Sequence, residues 1–403
     1  MRRHVKNNVS WIGYVDWELE TFHGHEYNTK RGSSQNAYLI EEEKTVLIDT
    51  VWTPHRDVFI DNLEKEVGLD KIDMIVVNHG ERDHSGTLPA LMEKIPNTPI
   101  YCTANAVKSL EGQYGKRGWD LHVVKTGDTL DVGNGKQLIF IEMRMLHWPD
   151  SMAAYLTGDN ILFSMDAFGQ HFASAELFND LVDRNVLYDE ALKYYANILN
   201  AFSPMVKKKL PEIAALNLPI DMICPSHGVI WRDDPMQIVE QYARWCDDYK
   251  EDRVTVVYDT MWEGTAKIAH AIADEIKAQS PGTVVKVYHI PTSDQTEIMG
   301  EVFRSKAIAL GSPTVINGML FSVAGWLDHA RALKFKGKKA AAFGCYGWSG
   351  ESVKLMQAKL SEIGFDVIEG EDDTYQKCIS RADDNLYIDK KNCKLNGQTT
   401  LLK

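Results

Sequence analysis

The segment VVNHGERDHSG (76–86) places His79, Glu81, Asp83 and His84 directly behind an apolar strand. In an extended chain alternate side chains share a face, so His79, Glu81 and Asp83 are expected to converge on one point. Imidazoles and carboxylates crowded in this way are costly unless a cation holds them, and the segment reads as a metal-binding loop. Three more strand ends repeat the design. MLHWPDS (145–151) puts His147 after the apolar run 136–143, LFSMDAFGQH (162–171) ends another run with Asp166, and SHGVIW (226–231) places His227 after 220–224. His79, Glu81, Asp83, His84, His147, Asp166 and His227 are enough donors for two metals sharing a bridge.

No thiolate belongs to this set, which excludes soft, sulfur-rich sites. The three carboxylates contribute −3 against +4 for two divalent ions, and one bridging hydroxide would bring the site to neutrality. Imidazole with carboxylate suits zinc, iron and manganese alike. Glu81 makes the site harder than a histidine would and better able to support a ferric state. His23, Tyr195 and Trp148 are candidates for orienting the ligands or delivering protons; His171 is expected to be structural.

A second set of candidates lies downstream. TMWEGT (260–265), with Thr260, Met261, Trp262, Glu263, Gly264 and Thr265, follows an apolar strand and opens a helix. Two hydroxyls, backbone N–H groups and a helix N-terminus can bind a phosphate without Lys or Arg. SPTVING (312–318) brings Ser312, Pro313, Thr314, Val315, Ile316 and Asn317 to the end of a later strand. GCYGWSGE (344–351) brings Gly344, Tyr346, Gly347, Trp348, Ser349 and Gly350 to the end of another. Glycines in the last loop admit a flat ring closely, and Tyr346 and Trp348 could stack on it.

The elements behind these loops fall into two patterns. Runs 36–42 and 44–50 read as a hairpin, and strands at 71–80, 98–103, 136–143, 153–158, 159–166 and 220–228 continue the first half. Helical periodicity appears at 188–202 and 238–252. From 253 strands and helices alternate strictly, which implies a parallel sheet covered on both faces. The division between domains is expected near residue 251, giving domains 1–250 and 251–403. The chain has 403 residues, ample for two cores, and a net charge of −13, which disfavours nucleic acid as a partner. No run approaches the ~18 apolar residues of a membrane span, and no secretory signal opens the chain. Six scattered cysteines without a CxxC pair argue against a disulfide framework, a zinc finger or a built-in rubredoxin. A cytoplasmic protein is expected.

The HxExDH segment, with His147, Asp166, His227 and the flanking LHWPDS and DAFGQH, resembles the flavodiiron protein family. The resemblance runs from about residue 5 to about 370. It implies an N-terminal metallo-β-lactamase-like αββα sandwich followed by a flavodoxin-like doubly wound sheet, an α/β architecture with an α+β first domain. The related hydrolases usually carry HxHxDH, with a histidine where this chain has Glu81. On this resemblance His79, Glu81 and His147 hold one iron, Asp83, His84 and His227 the other, and Asp166 bridges. In some members the residue at the His84 position stands off the metal. Arg144 and Gln35 occupy positions where the family is expected to have proline and tyrosine.

The flavodoxin resemblance implies FMN, and no GxGxxG follows the first strand to suggest a dinucleotide. The implied activity is reduction of dioxygen to water, nitric oxide to nitrous oxide, or both. An external rubredoxin or flavoprotein reductase would donate electrons, and the resemblance implies a head-to-tail homodimer or a dimer of dimers. Two other classes remain open: a zinc hydrolase fused to a flavodoxin-like domain, and a flavodoxin-type electron carrier whose first domain only binds partners. The segment after about 370 departs from the family, where a final amphipathic helix would be expected.

Overall fold

Tyr38–Glu41 and Thr45–Ile48 pair antiparallel with Tyr38 opposite Ile48, forming the hairpin read from their β-branched and aromatic runs. Side chains along them alternate between two buried layers. Tyr38, Ile40, Val46 and Ile48 face one apolar cluster, while Leu39 and Leu47 face another. Burial on both faces is why these strands lack a polar side in the sequence.

The hairpin sits within a seven-stranded sheet: Arg3–Lys6, Val9–Trp11, Tyr38–Glu41, Thr45–Ile48, Met74–Val76, Ile100–Thr103 and Leu121–Val124, in that order. The pairing changes from antiparallel to parallel at Thr45–Ile48 against Met74–Val76. A five-stranded sheet, Thr129–Gly133, Lys136–Glu142, Met152–Leu156, Ile161–Met165 and Met222–Pro225, packs on its inner face. Val9, Ile40, Val46 and Val76 from one sheet meet Leu138, Phe140, Ala154 and Phe163 from the other. Helices Arg56–Glu66, Leu88–Lys94 and Ala104–Tyr114 cover the outer face through Phe59, Leu63, Leu91 and Leu110. Helices Arg184–Tyr194 and Ser203–Ala214 stand in the chain between the last two strands of the five-stranded sheet, and Met236–Trp245 follows the last. This is a metallo-β-lactamase-like sandwich.

The computed structural model describes residues 1–368, so the expected final helix after about 370 lies outside the described residues. The chain divides into two compact units, Met1–Asp247 and a second beginning at Asp248. In the second unit the strand order is Val284–His289, Glu251–Tyr258, Ser305–Gly311, Lys339–Phe343 and Asp366–Val367, all parallel. That is the doubly wound order with its switch beside Glu251–Tyr258, where a crevice opens outside the strands' carboxyl ends. Among the described residues no helix is long and apolar enough to cross a membrane.

The helix expected over 238–252 ends at Trp245. Asp248 takes a left-handed φ of 51°, and the next strand already begins at Glu251. A string of polar residues carried no periodicity to mark that stop.

Candidate metal centre and flavin loops

The metal loop leaves strand Met74–Val76, and at Glu81 the backbone is extended (φ −64°, ψ 152°); His79 and Glu81 come together as expected, their Nε2 and Oε2 atoms 3.2 Å apart. It then coils into a short helix, Arg82–Ser85, which turns Asp83 away from them. The expected convergence of His79, Glu81 and Asp83 on one point is therefore corrected: alternation does not survive the turn. Two groups form instead. His79, Glu81, His147 and Asp166 make one, Asp83, His84, Asp166 and His227 the other, with donor atoms in each group within 4.8 Å of one another.

Asp166 belongs to both. Its Oδ2 lies 3.6 Å from His79 Nε2 and 3.3 Å from His147 Nε2, while its Oδ1 lies 3.1 Å from His84 Nε2 and 3.4 Å from His227 Nε2. Glu81 Oε2 closes the first group at 3.2 Å from His79 Nε2, and Asp83 Oδ2 closes the second at 3.0 Å from both His84 and His227. Both Asp166 oxygens, Asp83 Oδ1 and His84 Nε2 are buried without a hydrogen bond. Orphaned buried acceptors cost roughly 1–3 kcal/mol each, more when charged, so the donor set fits a pair of cations.

The electrostatics agree. Burial opposes charge on His79, but hydrogen bonds with Asp150 and Glu81 push it up to about 10. Burial likewise opposes charge on His227, which Asp166 and Asp83 push up to about 9. Burial would raise Asp166, yet the charge of His84 and the close imidazoles of His147 and His227 hold it well below the usual carboxylate range. Metal binding at these imidazoles would release any protons they carry.

A supporting layer orients the imidazoles. His79 Nδ1 donates to Asp150 Oδ1 at 3.0 Å and His227 Nδ1 donates to the Ser34 carbonyl at 2.7 Å, which leaves both Nε2 atoms to face the centre. Asp150 also accepts from Gly80 N at 3.0 Å. A β-carbon on Gly80 would stand 2.7 Å from Asp150 Oδ2, so only glycine lets that carboxylate approach. His23 Nε2 lies 3.2 Å from Glu81 Oε1, and Trp148 sets its ring edge-on to His79 at 5.1 Å.

In the second unit all three candidate loops fall at strand ends around the crevice. After Glu251–Tyr258 the chain passes through Thr260, Met261 and Trp262 to Glu263, left-handed at φ 61°, before the 16-residue helix Gly264–Gln279. Thr260 Oγ1 is buried without a partner, and Thr265 is buried with its Oγ1 3.4 Å from Cys345 Sγ. Ser312 accepts from Leu320 N, and Thr314 donates to Ser352. A β-carbon on Gly344 would meet the Ser312 carbonyl at 2.0 Å, so the second and third loops touch through backbone. Trp262, Ile316 and Trp348 are 79%, 89% and 83% exposed, and Tyr346 is half-exposed. Pro313, Val315, Asn317, Gly347, Ser349 and Gly350 occupy the same loops.

Comparison with known proteins agrees with both halves. The model of the ODP family beta lactamase matches residues 33–228, and that of flavodoxin matches 256–394. The chain is 53% identical over 366 residues to the anaerobic nitric oxide reductase flavorubredoxin of Vibrio vulnificus, covering 91% of this chain and 74% of that one. The chain belongs to the flavodiiron protein family. An Escherichia coli flavorubredoxin is also 53% identical, over 90% of this chain and 76% of its own. Rubredoxin oxygen:oxidoreductase from Desulfovibrio gigas superposes with a TM-score of 0.89 at 33% identity, over 95% of this chain and 97% of that one. The flavodiiron protein from Giardia intestinalis gives 0.87 at 34% identity, over 95% and 94%.

Within this flavodiiron protein one candidate sits elsewhere. Tyr195 hydrogen-bonds Ser203 Oγ at 2.8 Å and packs on Tyr242 and Trp245, away from the clustered donors. Tyr194, one residue earlier, packs 5.1 Å from His171 and 6.3 Å from His227. Helix Arg184–Tyr194 passes into a π turn, Tyr195–Leu199, and spacing from Leu187 and Ala191 puts Tyr194 on the buried face they share. His171 is buried beside His227, its Nδ1 2.8 Å from Ser33 Oγ. Asp150 was not read as a partner of His79, because no spacing rule links residues 71 positions apart. Arg144 pairs with Glu142 at the surface, and Gln35 accepts from Trp52 N.

Proposed function

We propose that this flavodiiron protein reduces nitric oxide to nitrous oxide, dioxygen to water, or both, at two non-haem irons supplied with electrons by FMN. The observation that carries the reading is Asp166, which turns one oxygen to each group of donors. His79, Glu81, His147 and Asp166 would hold one iron, and Asp83, His84, His227 and Asp166 the other. Bound there, two ferrous ions would act as Lewis acids and supply two electrons, and FMN hydroquinone would supply two more. Four electrons and four protons convert dioxygen to two waters; two of each convert two nitric oxide molecules to nitrous oxide and one water.

The chain's own residues do the rest. Asp150 and the Ser34 carbonyl fix which nitrogen of His79 and His227 faces the metals, and His23 steadies Glu81. Thr260, Thr265 and the start of helix Gly264–Gln279 would hold the FMN phosphate, with Tyr346 and Trp348 beside its ring. An external rubredoxin or flavoprotein reductase would reduce the flavin; the similar protein from Desulfovibrio gigas is a rubredoxin oxygen:oxidoreductase.

The competing reading is a zinc hydrolase, which Glu81 disfavours in place of a histidine. Metal analysis with an absorption spectrum tests the choice. Two irons and one FMN per chain are expected; zinc with no flavin would overturn the proposal.

A further inference from the structure

Asp259 lies between the strand Glu251–Tyr258 and the loop Thr260–Glu263, and its carboxylate is mostly buried. Donors reach it from three segments of the chain. Thr260 N donates to Oδ1 at 2.6 Å. His289, the last residue of strand Val284–His289, places Nε2 3.1 Å from the same oxygen. Ser322, in the first turn of helix Phe321–Ala332, donates its hydroxyl to Oδ2. That helix start is tied in turn to the second flavin loop, because Leu320 N donates to Ser312 Oγ at 2.9 Å. His289 Nδ1 is engaged as well, 3.0 Å from Thr292 Oγ1.

The trio of Ser322, Asp259 and His289 contains the residue types of a hydrolytic triad in an order that cannot work as one. The serine donates to the carboxylate rather than to the imidazole, so no base is placed to remove its proton. The arrangement is instead a three-way tie through one acceptor. Its cost is visible in its location. A carboxylate next to a phosphate site repels the phosphate, and in a mostly buried setting that repulsion is only partly screened. The donors that surround Asp259 spread its charge, and what they gain is geometry: the amide of Thr260 is fixed, while the Thr260 hydroxyl stays buried and unpartnered.

We infer that Asp259 is the positioning residue of the phosphate loop, joining it to His289 and to the Ser322 helix so that Thr260 Oγ1 is held ready for the phosphate of the flavin. The inference rests on the flavin reading above. It predicts that losing the tie harms recognition of the phosphate selectively, since the ring meets other loops.

The test uses the full-length chain stripped of flavin and titrated separately with FMN and with riboflavin, which lacks the phosphate. Affinities are followed by quenching of flavin fluorescence. Asp259→Ala is expected to weaken FMN at least tenfold and riboflavin less than threefold, narrowing the preference for FMN. Asp259→Asn, whose amide oxygen can still accept from Thr260 N, is expected to restore most of the loss and guards against a variant that simply misfolds. Adding Ser322→Ala to Asp259→Ala is expected to change nothing further, because the hydroxyl has already lost its acceptor. If the native chain takes up no FMN, the flavin reading falls and this inference with it. If the native chain binds FMN and Asp259→Ala binds it equally well, this inference alone falls. Equal weakening of FMN and riboflavin would make Asp259 a general structural residue and also overturn it.

Discussion

Asp166 and Glu81 make different demands on the centre, and their variants should separate. Glu81 serves one group of donors, so Glu81→Ala should lower bound iron and abolish turnover while FMN stays in place, checked by metal analysis beside the flavin spectrum. Retention of two irons with normal activity would remove Glu81 from the ligand set. Asp166→Asn should lose more iron, because its two oxygens face both groups. Tyr195→Phe should cost only about 1 kcal/mol of stability, the typical worth of the hydrogen bond to Ser203, and leave iron content unchanged. The metal donors were legible because four apolar strands each run into a short segment that carries one or more of them. Asp150 and Tyr194 were not. The first meets His79 only after the chain has folded back, and the second depends on where a helix passes into a π turn.

At the scale of elements, the flavin loops follow from strand order. The parallel sheet places the loops after Glu251–Tyr258 and Ser305–Gly311 next to each other at the switch point, and the loop after Lys339–Phe343 one strand further on. Replacing both Thr260 and Thr265 with Val should weaken FMN by a factor of ten or more, since hydroxyl bonds to a charged partner are worth roughly 1.5–3 kcal/mol each. Dialysis followed by flavin quantification would show this, and unchanged retention would sink the placement. The alternation of strands and helices after 253 was readable because each element is long enough to show its period. The first 35 residues were not read as strands. Their pieces, such as Arg3–Lys6 with the sequence RHVK, are two to four residues long and too polar to reveal an alternation.

At the scale of the molecule, each unit has an apolar core of its own, the first around Phe140 and Leu47, the second around Val256, Ile268 and Phe343. Ligands stabilise only the state that binds them, so chelating the metal should lower the melting temperature of one transition and removing FMN that of the other. Scanning calorimetry would show a single transition shifted by both treatments if the units melt together. Electron transfer falls steeply with distance, and the exposed side chains of Trp262, Ile316, Phe321 and Trp348 around the flavin loops suit burial against another chain. A head-to-tail dimer would bring one chain's FMN to the other's metals. Mixing a Glu81→Ala chain with one unable to bind FMN should then restore part of the activity absent from each. No recovery despite proven subunit exchange would mean that each chain works alone.

The order of the donors along the chain also sets an order in time. A ribosome delivers His79, Glu81, His147 and Asp166 before residue 167, while the other group waits for His227 on the far side of helices Arg184–Tyr194 and Ser203–Ala214. For that interval Asp166 has one oxygen facing a finished set of donors and the other facing an unfinished one. Among the described residues the strand that precedes His227, Met222–Pro225, joins its sheet by pairing with Ile161–Met165, the strand that ends just before Asp166. The same stretch of chain thus completes the second group of donors and supplies the edge of the sheet. A chain that stalls before it would present a site fit for a single ion.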